Sequence, residues 1–207
     1  MINIIDYEMG NLRSVEKAFE KLGFDARVSD KPEDIATADK VVLPGVGAFR
    51  DCINNLREGG FVEPLLAHVE AGKPLLGICV GMQMMFDESE EFGRHAGLGL
   101  IPGKVVRFPS GMVEGGERLK VPHMGWNNIS LKKDSPIFSG VKDDSFVYFV
   151  HSYYCAAENV EDVAATCTYG DVEFCASLWR DNIMATQFHP EKSQDIGLQI
   201  FKNFGEL

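Results

Sequence analysis

The 207-residue chain is predicted to fold as α/β, with an open, mostly parallel central sheet, helices on both of its faces, and antiparallel strands in the second half. Three features of the sequence point that way. Before about residue 97, strand-like and helix-like segments alternate, the β-α-β-α rhythm of parallel strands joined by right-handed crossovers. After it, short β-branched or aromatic runs follow one another with turn residues and few helices between them. Within the first half lies Gly77-Ile78-Cys79-Val80-Gly81-Met82-Gln83, a cysteine between two glycines at a strand-to-helix turn.

Each element has a local reason. Residues 2–6 are a short apolar run ending in Asp6. Residues 11–22 place Leu12, Val15, Ala18, Phe19 and Leu22 at helical spacing, with Gly23 as the stop. Residues 24–29 and Lys40–Leu43 read as the second and third strands, the third ending at Pro44-Gly45. Residues 49–56 and 61–71 read as helices, broken by Gly59-Gly60 and closed by Gly72. Leu75–Ile78 is the fourth strand, and residues 82–86 read as the first turns of the helix after the cysteine. Further strands are expected at 104–108, 128–131, 146–150, 164–169, 174–179 and 183–187, either added to the same sheet or forming a small second one. An amphipathic helix over 196–204 closes the chain. The glycine-rich, acidic residues 112–119 read either as a hairpin or as a surface excursion. No repeat, low-complexity tract or linker interrupts the pattern, so residues 1–207 are expected to form one domain.

Composition narrows the function. Twenty Lys plus Arg against 31 Asp plus Glu leave a formal charge of −11, which argues against non-specific nucleic-acid binding, because phosphate neutralisation needs basic surface. The start of the chain is too short and too soon acidic for a signal peptide, and no apolar stretch reaches the roughly 20 residues that span a bilayer. Five cysteines, with no C-x-x-C pair, then read as reduced thiols in a cytoplasmic protein. No histidine or cysteine cluster has metal-ligand spacing, and neither a dinucleotide fingerprint nor a P-loop is present, so neither a metal nor a cofactor is expected.

Cys79 is the candidate nucleophile. The flanking glycines allow a sharp turn that lifts its side chain off the sheet, and a helix N-terminus favours thiolate over thiol. A nucleophilic cysteine also needs a base and a group to orient that base. Among the five histidines, His189 stands directly after the 183–187 strand, with Glu191 one proline further on. Pro190 fixes the backbone there, so Glu191 can turn its carboxylate toward the imidazole and stabilise its charged form. Pro44-Gly45-Val46-Gly47-Ala48-Phe49 has two readings. It is either a plain β-to-α turn or a source of inward-facing amides that hold an oxyanion together with the amide of Val80.

With the cysteine elbow and Phe188-His189-Pro190-Glu191 both present, the chain resembles a class I, triad-type glutamine amidotransferase, a flavodoxin-like fold. The resemblance runs through Asp6-Tyr7, Gly10-Asn11-Leu12, the 44–49 loop, Val121-Pro122-His123-Met124-Gly125-Trp126-Asn127, Tyr148-Phe149-Val150-His151-Ser152-Tyr153 and His189-Pro190-Glu191-Lys192. Met82 and the His-Met-Gly-Trp-Asn segment are similar to the branch whose glutaminases serve histidine biosynthesis.

The resemblance implies a division of labour. Cys79 would attack the side-chain amide of glutamine, His189 would pass a proton to the departing ammonia, and Glu191 would orient His189. The amides of Val46 and Val80 would form the oxyanion hole. Gly47, Gln83, His151, Ser152 and Tyr153 would hold the substrate. The family relationship further implies a heterodimer with a (β/α)8-barrel cyclase that receives the ammonia, with Asn11, Trp126, Tyr148 and Lys192 as candidates for the interface. It also implies a glutaminase that is nearly silent until that partner is loaded. The two glycines flanking Val46 make the Gly45-Val46-Gly47 peptide the expected switch. A glutaminase of another assembly, such as one feeding pyridoxal phosphate synthesis, a cysteine hydrolase of other amides, and a non-catalytic regulatory subunit are the alternatives.

Overall fold

The structure is a computed structural model and describes all residues except the side chain of Glu114. The first half contains β1 (Ile2–Ile5), α1 (Leu12–Lys21), β2 (Ala26–Ser29), the one-turn α2 (Asp34–Thr37), β3 (Lys40–Leu43), α3 (Phe49–Glu58), α4 (Val62–Glu70), β4 (Leu75–Ile78) and the one-turn α5 (Val80–Gln83). The second half contains β5 (Phe86–Ser89), β6 (His95–Ala96), β7 (Ile101–Arg107), β8 (Val113–Glu114), β9 (Glu117–Arg118), β10 (His123–Asn128), β11 (Ser130–Leu131) and β12 (Phe146–His151). It continues through β13 (Tyr153–Ala157), β14 (Val163–Tyr169), β15 (Val172–Arg180) and β16 (Ile183–Thr186) to α6 (Gln194–Glu206).

Among the described residues these build a twelve-stranded sheet with the order β2-β1-β3-β4-β16-β15-β13-β7-β5-β6, from which β14 and β11 branch at β15. The β2-β1-β3-β4-β16 portion is parallel throughout, with the strand order of a flavodoxin-like sheet. The joins of β15 to β16, β14 and β13, and of β13 to β7, are antiparallel. The crossover from β1 to β2 runs one way along the sheet and that from β3 to β4 the other, so right-handedness puts α1 on one face and α3 and α4 on the opposite one. The last helix, α6, returns to α1, with the Phe19 and Phe201 ring centroids 4.7 Å apart. The predicted mixture of a parallel sheet and later antiparallel strands is what the chain forms.

One expectation needs correction and two open choices are resolved. Residues 82–86 do not continue a long helix. Helix α5 ends at Gln83, and Phe86–Ser89 is a strand beside β7. The amides of Leu98 and Leu100 reach back to the carbonyls of Met84 and Met85, so the apolar run is buried by a crossing chain rather than by helical packing. The choice between added strands and a second sheet resolves as both, because β10 and β12 form a separate pair. The chain leaves that pair at Ser152, a bend, and enters the main sheet as β13 at Tyr153. Residues 112–119 form the two-stranded hairpin of β8 and β9, turning at Gly115 and Gly116, both at positive φ.

Candidate active site

The elbow is built by two close approaches. A Cβ on Gly81 would lie 1.9 Å from the Leu43 carbonyl oxygen, and one on Gly77 would lie 2.6 Å from the Met85 methyl and 3.0 Å from the Met82 amide. Only glycine fits where the turn after β4 presses on the end of β3. Between them Cys79 is held at φ 55° and ψ −110°, a sparsely populated conformation for a side-chain-bearing residue, with a cost of about 1–3 kcal/mol that the surrounding sheet has to offset. The Cys79 amide donates to the Thr186 carbonyl over 2.8 Å, which ties the elbow to the end of β16. The pairing of Thr186 with Ile78 sets the register of the two strands there. Three residues beyond Thr186 comes His189.

The His189 ring is 2% exposed, and its Nδ1 lies 2.8 Å from Glu191 Oε1, a carboxylate itself 1% exposed. Since an ionised carboxylate can only accept, Nδ1 carries the proton and Nε2 faces the sulfur side. Burial alone would push this ring down. The charge of the Cys79 sulfur and the Glu191 carboxylate outweigh that and raise it to about 10. The strand-end position is pinned from behind by the His189 amide donating to Tyr148 O and by Ser193 Oγ donating to His189 O. The predicted trio Cys79, His189 and Glu191 thus lies together.

Cys79 and His189 open into a cavity of about 390 Å³, room for one amino-acid-sized molecule. The predicted substrate residues Gly47, Gln83, His151, Ser152 and Tyr153 all line it, as do Val46 and Val80. Gln83 Nε2 donates to Tyr153 O at 3.1 Å, and His151 Nδ1 donates to the same oxygen at 2.8 Å. His151 Nε2 therefore accepts from His123 Nδ1 at 3.2 Å, and His123 Nε2 accepts from Asn127 Nδ2 at 3.3 Å. Burial lowers His151 to about 3 and His123 to about 4, so both rings are neutral scaffolding, and neither is placed to act as the base.

The amide of Val80 is engaged by the Gly45 carbonyl at 3.4 Å, which sets the Gly45–Val46 peptide with its oxygen, not its N–H, toward the elbow. Both amides are near the cavity, but they do not converge as donors in this conformation. Of the surface candidates, Trp126 and Tyr148 are cross-strand partners with ring centroids 6.0 Å apart, and Lys192 Nζ lies 5.7 Å over the Tyr148 ring. Asn11 donates from Nδ2 to Glu191 Oε1 at 3.2 Å.

Two features of the site, one on the cavity wall and one behind Cys79, carry no signal in the sequence. Glu91 lines the wall and accepts the Phe49 amide at 2.6 Å, at the start of α3. Burial raises its carboxyl above the ordinary range. In sequence it sits in an acidic run, Asp87-Glu88-Ser89-Glu90-Glu91, that resembles a solvated loop. Gln187, wholly buried, touches Cys79, and a glutamine just beyond an apolar strand carries no periodic signal. Among the described residues, no group of three or more His, Cys, Asp or Glu is arranged to hold a metal, and no helix is long and apolar enough to cross a membrane.

The sequence profile of the family described as glutamine amidotransferase class-I matches residues 3–206. The chain belongs to the class I glutamine amidotransferases. Within that family it is 64% identical over its full length, and over the full length of the relative, to the imidazole glycerol phosphate synthase subunit HisH of Syntrophotalea carbinolica. It is 63% identical to the HisH subunit of Geobacter sulfurreducens, covering all of this chain and 98% of that one. A solved glutamine amidotransferase structure superposes with a TM-score of 0.75 at 19% identity, covering 100% of this chain and 99% of that one. The PurLQS structure from Thermotoga maritima gives 0.73 at 18%, covering 98% and 96%. These two likenesses establish the amidotransferase fold, and the full-length relatives place the chain with the glutaminase subunits of imidazole glycerol phosphate synthase.

Proposed function

We propose that the chain, acting as one domain over 1–207, hydrolyses glutamine at Cys79 and delivers the ammonia to a (β/α)8-barrel cyclase bound as a heterodimer in the cytoplasm. The cyclase would make imidazole glycerol phosphate and aminoimidazole carboxamide ribotide. The observation that carries this reading is the buried line Cys79–His189–Glu191 at the base of a cavity sized for an amino acid.

The chemistry follows from that line. An amide is a weak electrophile, so it needs both an activated sulfur and a stabilised oxyanion. The Cys79 thiol passes its proton to His189 Nε2, and the sulfur adds to the side-chain carbonyl carbon of glutamine. His189 gives its Nε2 proton to the leaving nitrogen, and ammonia departs from a γ-glutamyl thioester. Water then adds to that thioester with His189 taking its proton, the carbon–sulfur bond breaks, and glutamate leaves. Glu191 keeps the proton of His189 on Nδ1 and balances the imidazolium. The amides of Val46 and Val80 are the oxyanion donors once the Gly45–Val46 peptide has turned. Gly47, Gln83, His151, Ser152 and Tyr153 hold the glutamine.

The partner would sit on the face bearing Trp126, Tyr148 and Lys192, which is aromatic and cationic in the manner of interface centres and lies beside Ser193 and His189. The testing experiment mixes the chain with a histidine-pathway barrel subunit and supplies either glutamine or an ammonium salt. Cys79→Ser abolishes the glutamine-dependent synthesis and spares the ammonia-dependent one. Loss of both would assign the thiol to something other than ammonia production.

A further inference from the structure

Gln187 is wholly buried, one residue past the Thr186–Ile78 pairing that aligns β16 with β4, which brings it alongside Cys79. Its Nε2 lies 3.7 Å from Cys79 Sγ, and its Oε1 accepts from Gln83 Nε2 at 3.1 Å and from the Cys155 thiol at 4.0 Å. The orientation of this amide is forced. Tyr153 O can only accept, so Gln83 presents its NH₂ group there, 3.1 Å away. The second hydrogen of that group then needs an acceptor, which turns Gln187 Oε1 toward Gln83 and its NH₂ toward the sulfur.

We propose that Gln187 is a catalytic residue of this glutaminase, an amide donor that fixes the position of the Cys79 sulfur and stabilises its negative charge. The proposal rests on the glutaminase reading above. A donor aimed at sulfur serves twice. It favours the thiolate before attack, and it stabilises the negative charge left on sulfur when water cleaves the thioester carbon–sulfur bond. The other ionisable groups around the sulfur are His189 with Glu191 behind it, Tyr7 after β1, Cys52 on α3 and Cys155 on β13, with Glu91, His151, Tyr153 and Lys192 on the cavity wall. Gln187 is the neutral member of this set. It does not titrate, so a change in the pH behaviour of Cys79 on replacing it reports on the donor itself.

The test follows alkylation of Cys79 by iodoacetamide against pH in the complex with the barrel subunit, read by mass spectrometry of the Cys79 peptide. Gln187→Met keeps the length and removes the N–H, and Gln187→Glu keeps the shape and replaces the donor with an acceptor. The expected result is a midpoint moved to higher pH by about one unit in the first and further in the second. With it, kcat for glutamine hydrolysis falls about tenfold or more while KM changes little, the size expected for a lost hydrogen bond to a charged group. A midpoint at the wild-type position in Gln187→Met would overturn the proposal. If Gln187→Met does not fold, Gln187→Leu, which is also neutral and lacks the N–H, decides in its place. Because alkylation is read without substrate, this outcome is independent of the glutaminase reading, which fails separately if Cys79→Ser still hydrolyses glutamine.

Discussion

The Gly45 carbonyl oxygen accepts the Val80 N–H across 3.4 Å. That contact places an acceptor where an oxyanion would need donors, and it occupies one of the two amides that could supply them. Turning the Gly45–Val46 peptide by about half a rotation would free Val80 and bring the Val46 N–H around in the same movement. Glycines on both sides of Val46 keep such a turn sterically open. Such a turn would be confined to a single peptide bond at the end of β3.

Gly47 is held at φ +93°, and a Cβ there would stand 3.1 Å from the Met9 methyl. Gly47→Ala is therefore expected to hinder the turn and lower partner-stimulated glutaminase by roughly 10²-fold, the scale of one lost oxyanion donor. Steady-state ammonia release in the loaded complex measures it. Unchanged stimulation would remove this peptide as the switch.

Glu191 acts through His189. Glu191→Gln leaves the shape and removes the charge that keeps the proton on Nδ1, so kcat should fall roughly 10²–10⁴-fold with little change in KM. Asn11→Ala, which removes only one neutral donor to the same carboxylate, should cost far less. Comparable losses in the two variants would mean that Glu191 is held for structure rather than for charge.

Gly81→Ala tests the elbow itself. The added Cβ would collide with backbone, the Leu43 carbonyl at 1.9 Å, which cannot rotate away. A loss of about 3 kcal/mol or more, or failure to fold, is expected in urea unfolding. Gly77→Ala meets the mobile end of Met85 at 2.6 Å before it meets backbone, and should be the milder change. The reverse order would contradict this account of the turn.

Stability should fall on the acid side. His123 and His151 titrate near 6.5 when unfolded and at about 4 and about 3 when folded. Below about pH 6.5 the unfolded chain takes up protons that the folded chain refuses. Each ring then removes up to about 1.4 kcal/mol per pH unit until its folded value is reached. His189 has the opposite sign. Raised to about 10, it contributes stability below about 6.5 that is lost as the pH climbs toward 10. Urea unfolding of His123→Asn between pH 7 and 4 should show an acid limb shallower by about one proton, and an unchanged slope would refute the assignment.

Much of this was legible in the sequence because it is local. The glycines around Cys79 specify a sharp turn, and His-Pro-Glu after a strand specifies a base with its orienter. What the sequence concealed depends on contacts across the sheet. The run at 82–86 reads as helix because its apolar residues are contiguous. Only the segment that crosses it, pairing Leu98 and Leu100 with Met84 and Met85, accounts for a helix that ends at Gln83 and a strand that starts at Phe86. Gln187 gains its role from the register of β16 against β4, and Glu91 from capping a helix forty residues upstream. The state of the Gly45–Val46 peptide is a choice between two backbone conformations that glycine permits equally, so composition could not decide it.

The central claim is that the Cys79 sulfur carries the glutamyl group. Acid quench of the loaded complex during glutamine turnover, followed by mass spectrometry of the Cys79 peptide, tests it most directly. The account predicts a γ-glutamyl adduct on Cys79 that hydroxylamine removes and that is missing in Cys79→Ser. Steady ammonia release with an unmodified Cys79 peptide, and activity retained in Cys79→Ser, would contradict it.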